Sequence, residues 1–340
     1  MKDLYSLLPL MAEGKNSKQH SPRGKSFGYQ VLGFGSGGGG LGPLHGLFLM
    51  GQTDAGVTNV NNRVSPTGVI ENDVAGVGTA RSMGAAVSYG SGLALTAYGY
   101  TTSYVNTANL IDITGTVATD SVIAGTARGK LGGCSYGGDK GIFSYGQGVV
   151  NNLSMSNLVS NTGVIGSDVT GVGTGRYAPG SVGYGTDKGI VAFGHIGGGP
   201  GSTAVSNLIS SSGVIATDTA AAAGTNVCRE RAAVTYGGDK AIVAYGSSGS
   251  YGGCQTDSNL ISNTGVVAAN VTQVGQIRAF FGGQGVPYDT DKGVIAFGEI
   301  CSGYVKTNIS NLVSNTGVVA SDTAGVGTAN YNRTSAGCGE

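Results

Sequence analysis

The chain has 340 residues, 65 of them glycine, and its 19 basic and 19 acidic side chains cancel. Charged residues amount to only 11%, which removes the electrostatic footprint expected of a nucleic-acid binder. With 40% hydrophobic residues the composition also departs from that of a disordered chain, and no apolar run approaches the ~20 residues that span a bilayer as a helix.

Residues 1–45 follow no pattern found elsewhere in the chain. Leu4, Leu7, Leu8 and Met11 lie at roughly helical spacing, but Pro9 keeps any helix short. The apolar stretch Leu4 to Ala12 resembles the core of a secretory leader, and Asp3 and Pro9 argue against that reading. Lys15, Lys18, Arg23 and Lys25 follow without an acidic residue, and then GSGGGG at Gly35 to Gly40. This segment is expected to act as an anchoring arm lying on or inside a partner, with docking on its own chain as the alternative.

From Gly46 onward one sentence is written repeatedly. SNTGVIGSDVTGVGT (Ser160 to Thr174) returns as SNTGVVASDTAGVGTA (Ser314 to Ala329), and the glycine after Thr marks phase at Gly68, Gly115, Gly163, Gly213, Gly265 and Gly317. A period near 50 residues indicates a stacked or circular architecture. Each copy holds four short runs rich in Val, Ile, Tyr and Phe, bounded by Gly, Asn and Asp, which read as strands. The second run is the clearest (GIFSYG, GIVAFG, AIVAYG, GVIAFG) and ends in Met50, Tyr98, Tyr145, Phe193, Tyr245 or Phe297. The first run supplies Tyr89, Tyr136, Tyr184, Tyr236 and Tyr288; recurrence at fixed phase marks both sets as packing residues.

Compact turns carrying Asp-Lys (Asp139-Lys140, Asp187-Lys188, Asp239-Lys240, Asp291-Lys292) join the first and second runs, and Asn-Thr-Gly joins the third and fourth. Both suit hairpins, so they fall on one edge of a meander. The opposite edge carries the loops between second and third runs, which share no sequence: GYTTSYV, GQGVVNN, GHIGGGPGSTA, GSSGSYGGCQTD, GEICSGYVKT. One uniform face and one variable face suggest loop-borne recognition on the variable side.

The five cysteines, Cys134, Cys228, Cys254, Cys301 and Cys338, include no CxxC pair. Cys134 and Cys338 align with Val87, Val182, Val234 and Val286 and are expected to be buried, and neither a disulfide nor a zinc site is expected. His20, His45 and His195 share no motif, so no metal ligand set is predicted, and neither a catalytic constellation nor a cofactor motif occurs.

The order of an arginine, a hydrophobic strand ending in glycine, and two further strands resembles the kelch-type β-propeller over about Gly46 to Glu340. Arg81, Arg128, Arg176 and Arg278 occupy the arginine slot, with Arg229 close to it and Asn330 replacing it in the last copy. The family's Gly-Gly doublet is mostly a single glycine here, and its fourth-strand Trp is absent. The resemblance implies an all-β, six-bladed kelch-like propeller over residues 46–340. YQVLGFG (Tyr29 to Gly35) leaves seven blades open, and NRTSAGCGE (Asn332 to Glu340) supplies a strand that completes the first blade.

Degenerate Gly/Ser/Thr/Asn-rich repeats behind a short arm also resemble the tail-associated or surface propellers of tailed bacteriophages. That likeness implies a non-enzymatic virion protein present in multiple copies, held to other virion proteins through residues 1–45. Its propeller would serve adhesion, fibre attachment or decoration, without nucleic acid, membrane insertion or cofactor. Tyr100, Tyr104, His195, Tyr251 and Tyr304 on the variable loops are the candidate contacts for a host glycan or receptor. An intracellular kelch adaptor and an extracellular carbohydrate-binding propeller are the alternatives.

Overall fold

The computed structural model describes residues 46–340 apart from 198–200, 221, 223–224, 249–252, 280–284 and 339–340. The arm and the run Tyr29 to Gly35 lie outside the described residues. The described residues are all β, without a helix, and form small antiparallel sheets.

The first sheet pairs Gly46–Thr53 with Gly56–Val64 on one side and with Thr334–Ala336 on the other, so a strand from the far end of the chain completes it. Five further sheets repeat the inner, second and third strands in chain order. They are Ala85–Tyr89, Leu93–Ala97 and Thr107–Ile111; Gly132–Tyr136, Lys140–Gln147 and Asn152–Val159; Gly180–Tyr184, Lys188–His195 and Ser202–Ile209; Ala232–Tyr236, Lys240–Ala244 and Asp257–Ile261; and Val286–Tyr288, Lys292–Ala296 and Ser310–Val313. A separate ribbon joins Arg278–Ala279, Glu299–Ile300 and Val305–Lys306.

The expected fourth strand is thin. It consists mainly of single bridges such as Val64↔Ile70, Val159↔Ile165 and Ser156↔Val169, and it becomes a named strand only at Ser121–Val122 and Val271–Thr272. Side-chain amides take over part of the ladder here: Asn109 Nδ2 donates to the Ala118 carbonyl (2.9 Å) and Asn157 Nδ2 to the Gly166 carbonyl (3.0 Å).

Inner strands contact one another in chain order, and that of the sixth sheet touches that of the first. A cavity of about 120 Å³ is lined by all six, through small residues such as Ala86, Gly133, Ser181, Ala233, Gly285 and Ala336. Glycine is required where neighbouring sheets meet: a Cβ on Gly163, itself at φ +79°, would sit 2.6 Å from the Tyr89 ring, and one on Gly213 2.8 Å from Tyr136. The recurring tyrosine of one sheet thus rests on the phase-marking glycine of the next.

A buried arginine ties each sheet together. Arg128 Nη2 donates to Asn157 Oδ1 (2.7 Å) and Nε to the Tyr145 carbonyl (2.9 Å), while Asn157 Nδ2 donates to Asp168 (3.0 Å). Asp168 also accepts from the Thr126 hydroxyl (2.7 Å) and backbone N–H (3.1 Å). Arg81 with Asn109, Asp120 and Thr79, and Arg176 with Asn207, Asp218 and Thr174, repeat the arrangement. Five of the six guanidinium groups also cover the aromatic ring that ends the preceding sheet's second strand, among them Arg128 over Tyr98 at 4.2 Å and Arg176 over Tyr145 at 4.1 Å, while Arg81 follows the sheet whose second strand carries Met50 there. A desolvated contact of this kind contributes up to about 2 kcal/mol.

Two slots differ from the sequence reading. In the fifth and first sheets the guanidinium comes from Arg231 and Arg333, three residues beyond Cys228 and Asn330, whose carbonyls accept the Gly194 and Gly298 N–H groups as the Arg81 carbonyl accepts that of Gly51. Arg231 reaches Asn259 and covers Phe193, and Arg333 reaches Asn62 and covers Phe297. Arg229 is therefore not the slot residue, and Asn330 replaces the arginine's backbone position but not its charge. Among the described residues, Nε of Arg231 and of Arg333 has no hydrogen-bond acceptor. Asn270 stands where other sheets have Asp, and Asp257, 3.3 Å from Arg231, restores the negative charge.

Register also moves Cys338. Ala336 opposes Leu47 as Val87 opposes Leu95 and Cys134 opposes Ile142, so Ala336 fills the valine slot and Cys338 the tyrosine slot two residues later. Both cysteines are buried, as is Cys228.

Two outcomes follow from the arginine network. Asn157→Ala strips a buried guanidinium of its amide partner and should destabilise the protein by about 3 kcal/mol, read as a lowered urea midpoint. Burial pushes the Asp73, Asp120, Asp168 and Asp218 carboxyls upward, but hydrogen bonds from Thr and Asn and the nearby guanidinium outweigh it and hold them below the usual carboxylate value. A depressed native pKa gives stability that is complete above about pH 4 and disappears as pH falls through the native value. Thermal midpoints should therefore hold from neutrality to about pH 5 and drop below about pH 4, and Asp168→Asn should flatten that drop.

Candidate binding rim

The end of the sheets opposite the Asp-Lys turns extends each sheet by one more pairing: Ser82↔Tyr100, Gly129↔Gln147, Tyr177↔His195, Arg229↔Ser247 and Gln52↔Tyr331, with Arg278–Ala279 against Glu299–Ile300 as the sixth. The residues that follow, Met83, Lys130, Ala178, Glu230 and Asn332, all take positive φ of 50° to 59°. That strained conformation turns five backbones into a belt. The N–H of Met83 donates to Asn332, Lys130 to Met83, Ala178 to Lys130 and Glu230 to Ala178, at 2.6 to 3.1 Å.

Three of the sequence candidates meet in one cluster. Tyr100 and Tyr104 pack edge to face at 5.4 Å, and the Tyr104 ring lies against Gly129 of the next sheet, where a Cβ would be 2.9 Å away. Burial raises the Tyr104 phenol, with added contributions from Tyr100 and Tyr177, which places Tyr177 beside it. Tyr177 stacks on His195 at 4.9 Å, and Lys130 Nζ stands 5.1 Å over the Tyr177 ring. His195 is buried and its Nδ1 accepts the Gly197 N–H at 2.9 Å, so the neutral ring carries its proton on Nε2. Rings with a cation among them offer stacking faces plus a donor, a combination suited to a polar ligand with an apolar face.

Tyr304 belongs to the loop of the sixth sheet and is half exposed, while Tyr251 lies outside the described residues. Contrary to the sequence expectation, Cys254 and Cys301 form a disulfide with Cα atoms 6.1 Å apart, joining the variable loops of the fifth and sixth sheets. Their separation of 47 residues is near one repeat, and the signal that could pair them is their place in successive variable loops. Among the described residues no group of three or more His, Cys, Asp or Glu is placed to hold a metal ion.

Tyr177, Lys130 and Glu230 were not singled out by sequence reading, and Arg229 only as a neighbour of the arginine slot. Their signal is the dipeptide just after the arginine slot, which reads Ser-Met, Gly-Lys, Tyr-Ala, Arg-Glu, Ala-Phe and Tyr-Asn in an otherwise repetitive chain. Lys130 and Glu230 approach to 4.0 Å, and Arg229 and Glu230 to 3.7 Å. Lys306 bonds Asp54 at 2.5 Å and stands 5.1 Å over Tyr331. No protein-family model matches the sequence, and a search of curated proteins gives no significant match.

Replacing Cys254 and Cys301 by serine should lower the thermal midpoint under non-reducing conditions, a loss of about 2–4 kcal/mol on the chain-entropy scale. A reductant should lower the midpoint of the parent protein and leave the double variant unchanged.

Proposed function

We propose that the six sheets are the blades of a kelch-like β-propeller, and that the protein is a structural component of a tailed-bacteriophage virion with an adhesive or decorative rim. The cyclic contacts of the inner strands and the pairing of Thr334–Ala336 with Gly46–Thr53 support the ring. One observation carries the binding role: every sheet is held by the same Arg–Asn network, while the residues at one end of the sheets differ from copy to copy and gather Tyr100, Tyr104, Tyr177, His195 and Lys130. Rigid scaffolds with diversified loops are the usual way to present recognition surfaces. The ligand class that fits is a host-surface glycan, whose apolar sugar faces stack on the tyrosine rings. Residues 1–45 act as the anchor to other virion proteins, and many copies on a symmetric particle sum weak contacts.

A glycan array probed with the whole protein should give a defined set of ligands. Tyr104→Ala and Tyr177→Ala should each weaken binding about tenfold, equal to about 1.4 kcal/mol; an array that stays blank, or binding indifferent to both changes, would count against the rim. Deleting residues 1–25 should abolish incorporation into particles while leaving glycan binding intact.

A further inference from the structure

The axial end of the rim holds two buried polar side chains, Glu230 and Asn332, and beside them the partly exposed Lys130. Lys130, Glu230 and Asn332 precede the inner strands of the third, fifth and first sheets and line, with Met83 and Ala178, one cavity of about 10 Å³, room for no more than a single water. Met83 joins two of them through its backbone, accepting from the Lys130 N–H (2.7 Å) and donating to the Asn332 carbonyl (3.1 Å). Lys130 and Asn332 are thus two hydrogen-bonded steps apart, about 5 Å each. Lys130 Nζ lies 4.0 Å from Glu230 Oε1. Glu230 and Asn332 are each 5% exposed, and among the described residues Glu230 Oε2 has no hydrogen-bond donor, with Arg229 Nε 3.7 Å away.

We propose that Lys130 and Asn332 form a self-generated amide cross-link, with Glu230 as the acid–base group. Proton transfer from the Lys130 ammonium to the Glu230 carboxylate frees the amine. Its lone pair attacks Cγ of Asn332, and Glu230 relays protons from the attacking nitrogen to the departing carboxamide nitrogen. One C–N bond forms, one breaks, and ammonia leaves without any change of oxidation state. A nearly dry site favours this route because burial pulls the Lys130 ammonium down and pushes the Glu230 carboxyl up, both toward the uncharged forms the first step needs. The product would bolt the lead-in of Thr334–Ala336, and with it the first sheet, to the third.

The intact mass of the full chain under reducing conditions tests this. The expected mass lies below the sequence mass by one ammonia, with a branched Lys130–Asn332 peptide in a digest. Glu230→Gln and Lys130→Arg should restore the full mass. Asn332→Asp should lose one water in place of one ammonia, an outcome that a purely structural role would not produce. Protein aged at neutral pH that keeps its full mass would overturn the proposal, as would a deficit that persists in Lys130→Arg.

Discussion

The interaction on which the rest depends is the burial of one guanidinium per sheet. An arginine with no exposed surface is tolerated only when its charge and its donors are met, and here the third-strand asparagine, a carboxylate and a main-chain carbonyl meet them. In five of the six sheets the same group faces the aromatic ring of the preceding sheet. One residue therefore sets strand order within a sheet and spacing between sheets. Most of the repeating sentence is the partner list of that arginine: the Asn of Ser-Asn-Leu, the Asp of Ser-Asp or Thr-Asp, and the Thr two residues before Arg.

Two sheets show that the requirement attaches to the head group and not to its position in the chain. Arg231 and Arg333 start three residues later and still reach Asn259 and Asn62. Among the described residues Nε of both is unmatched, and in one sheet the acid has moved as well, from the slot of Asn270 to Asp257. Charge, planar shape and aromatic contact are kept while the backbone route changes.

This explains what could be read from the sequence. The period, three strands of every sheet and the terminal strand that completes the first were legible, because alternating β-branched runs and Gly or Asp-Lys turns are local signals. The arginines of two slots were not, since Arg229 lies nearer the consensus position than Arg231 and only the spatial target distinguishes them. Cys338 was misplaced for a related reason: strand register, not residue similarity, puts Ala336 opposite Leu47. The disulfide escaped because the two cysteines lie 47 residues apart in the chain, and only the side-by-side packing of successive sheets brings their loops together. Loop diversity singled out Tyr100, Tyr104 and His195, whereas Tyr177, which stacks on His195, sits at the root of an inner strand, where variation is confined to two residues.

The strand Thr334–Ala336 lies almost three hundred positions from its partner Gly46–Thr53. During synthesis the other sheets can assemble as they emerge, each from neighbours already made, while the founding sheet waits with its inner edge bare. Joining such distant segments costs only logarithmically more entropy than joining near ones, but it raises contact order and slows the last step. Maturation thus ends with a clasp, and a ribosome that stalls short of it releases a chain whose Gly46–Thr53 strand has one bare edge, the kind of species that sticks to its siblings.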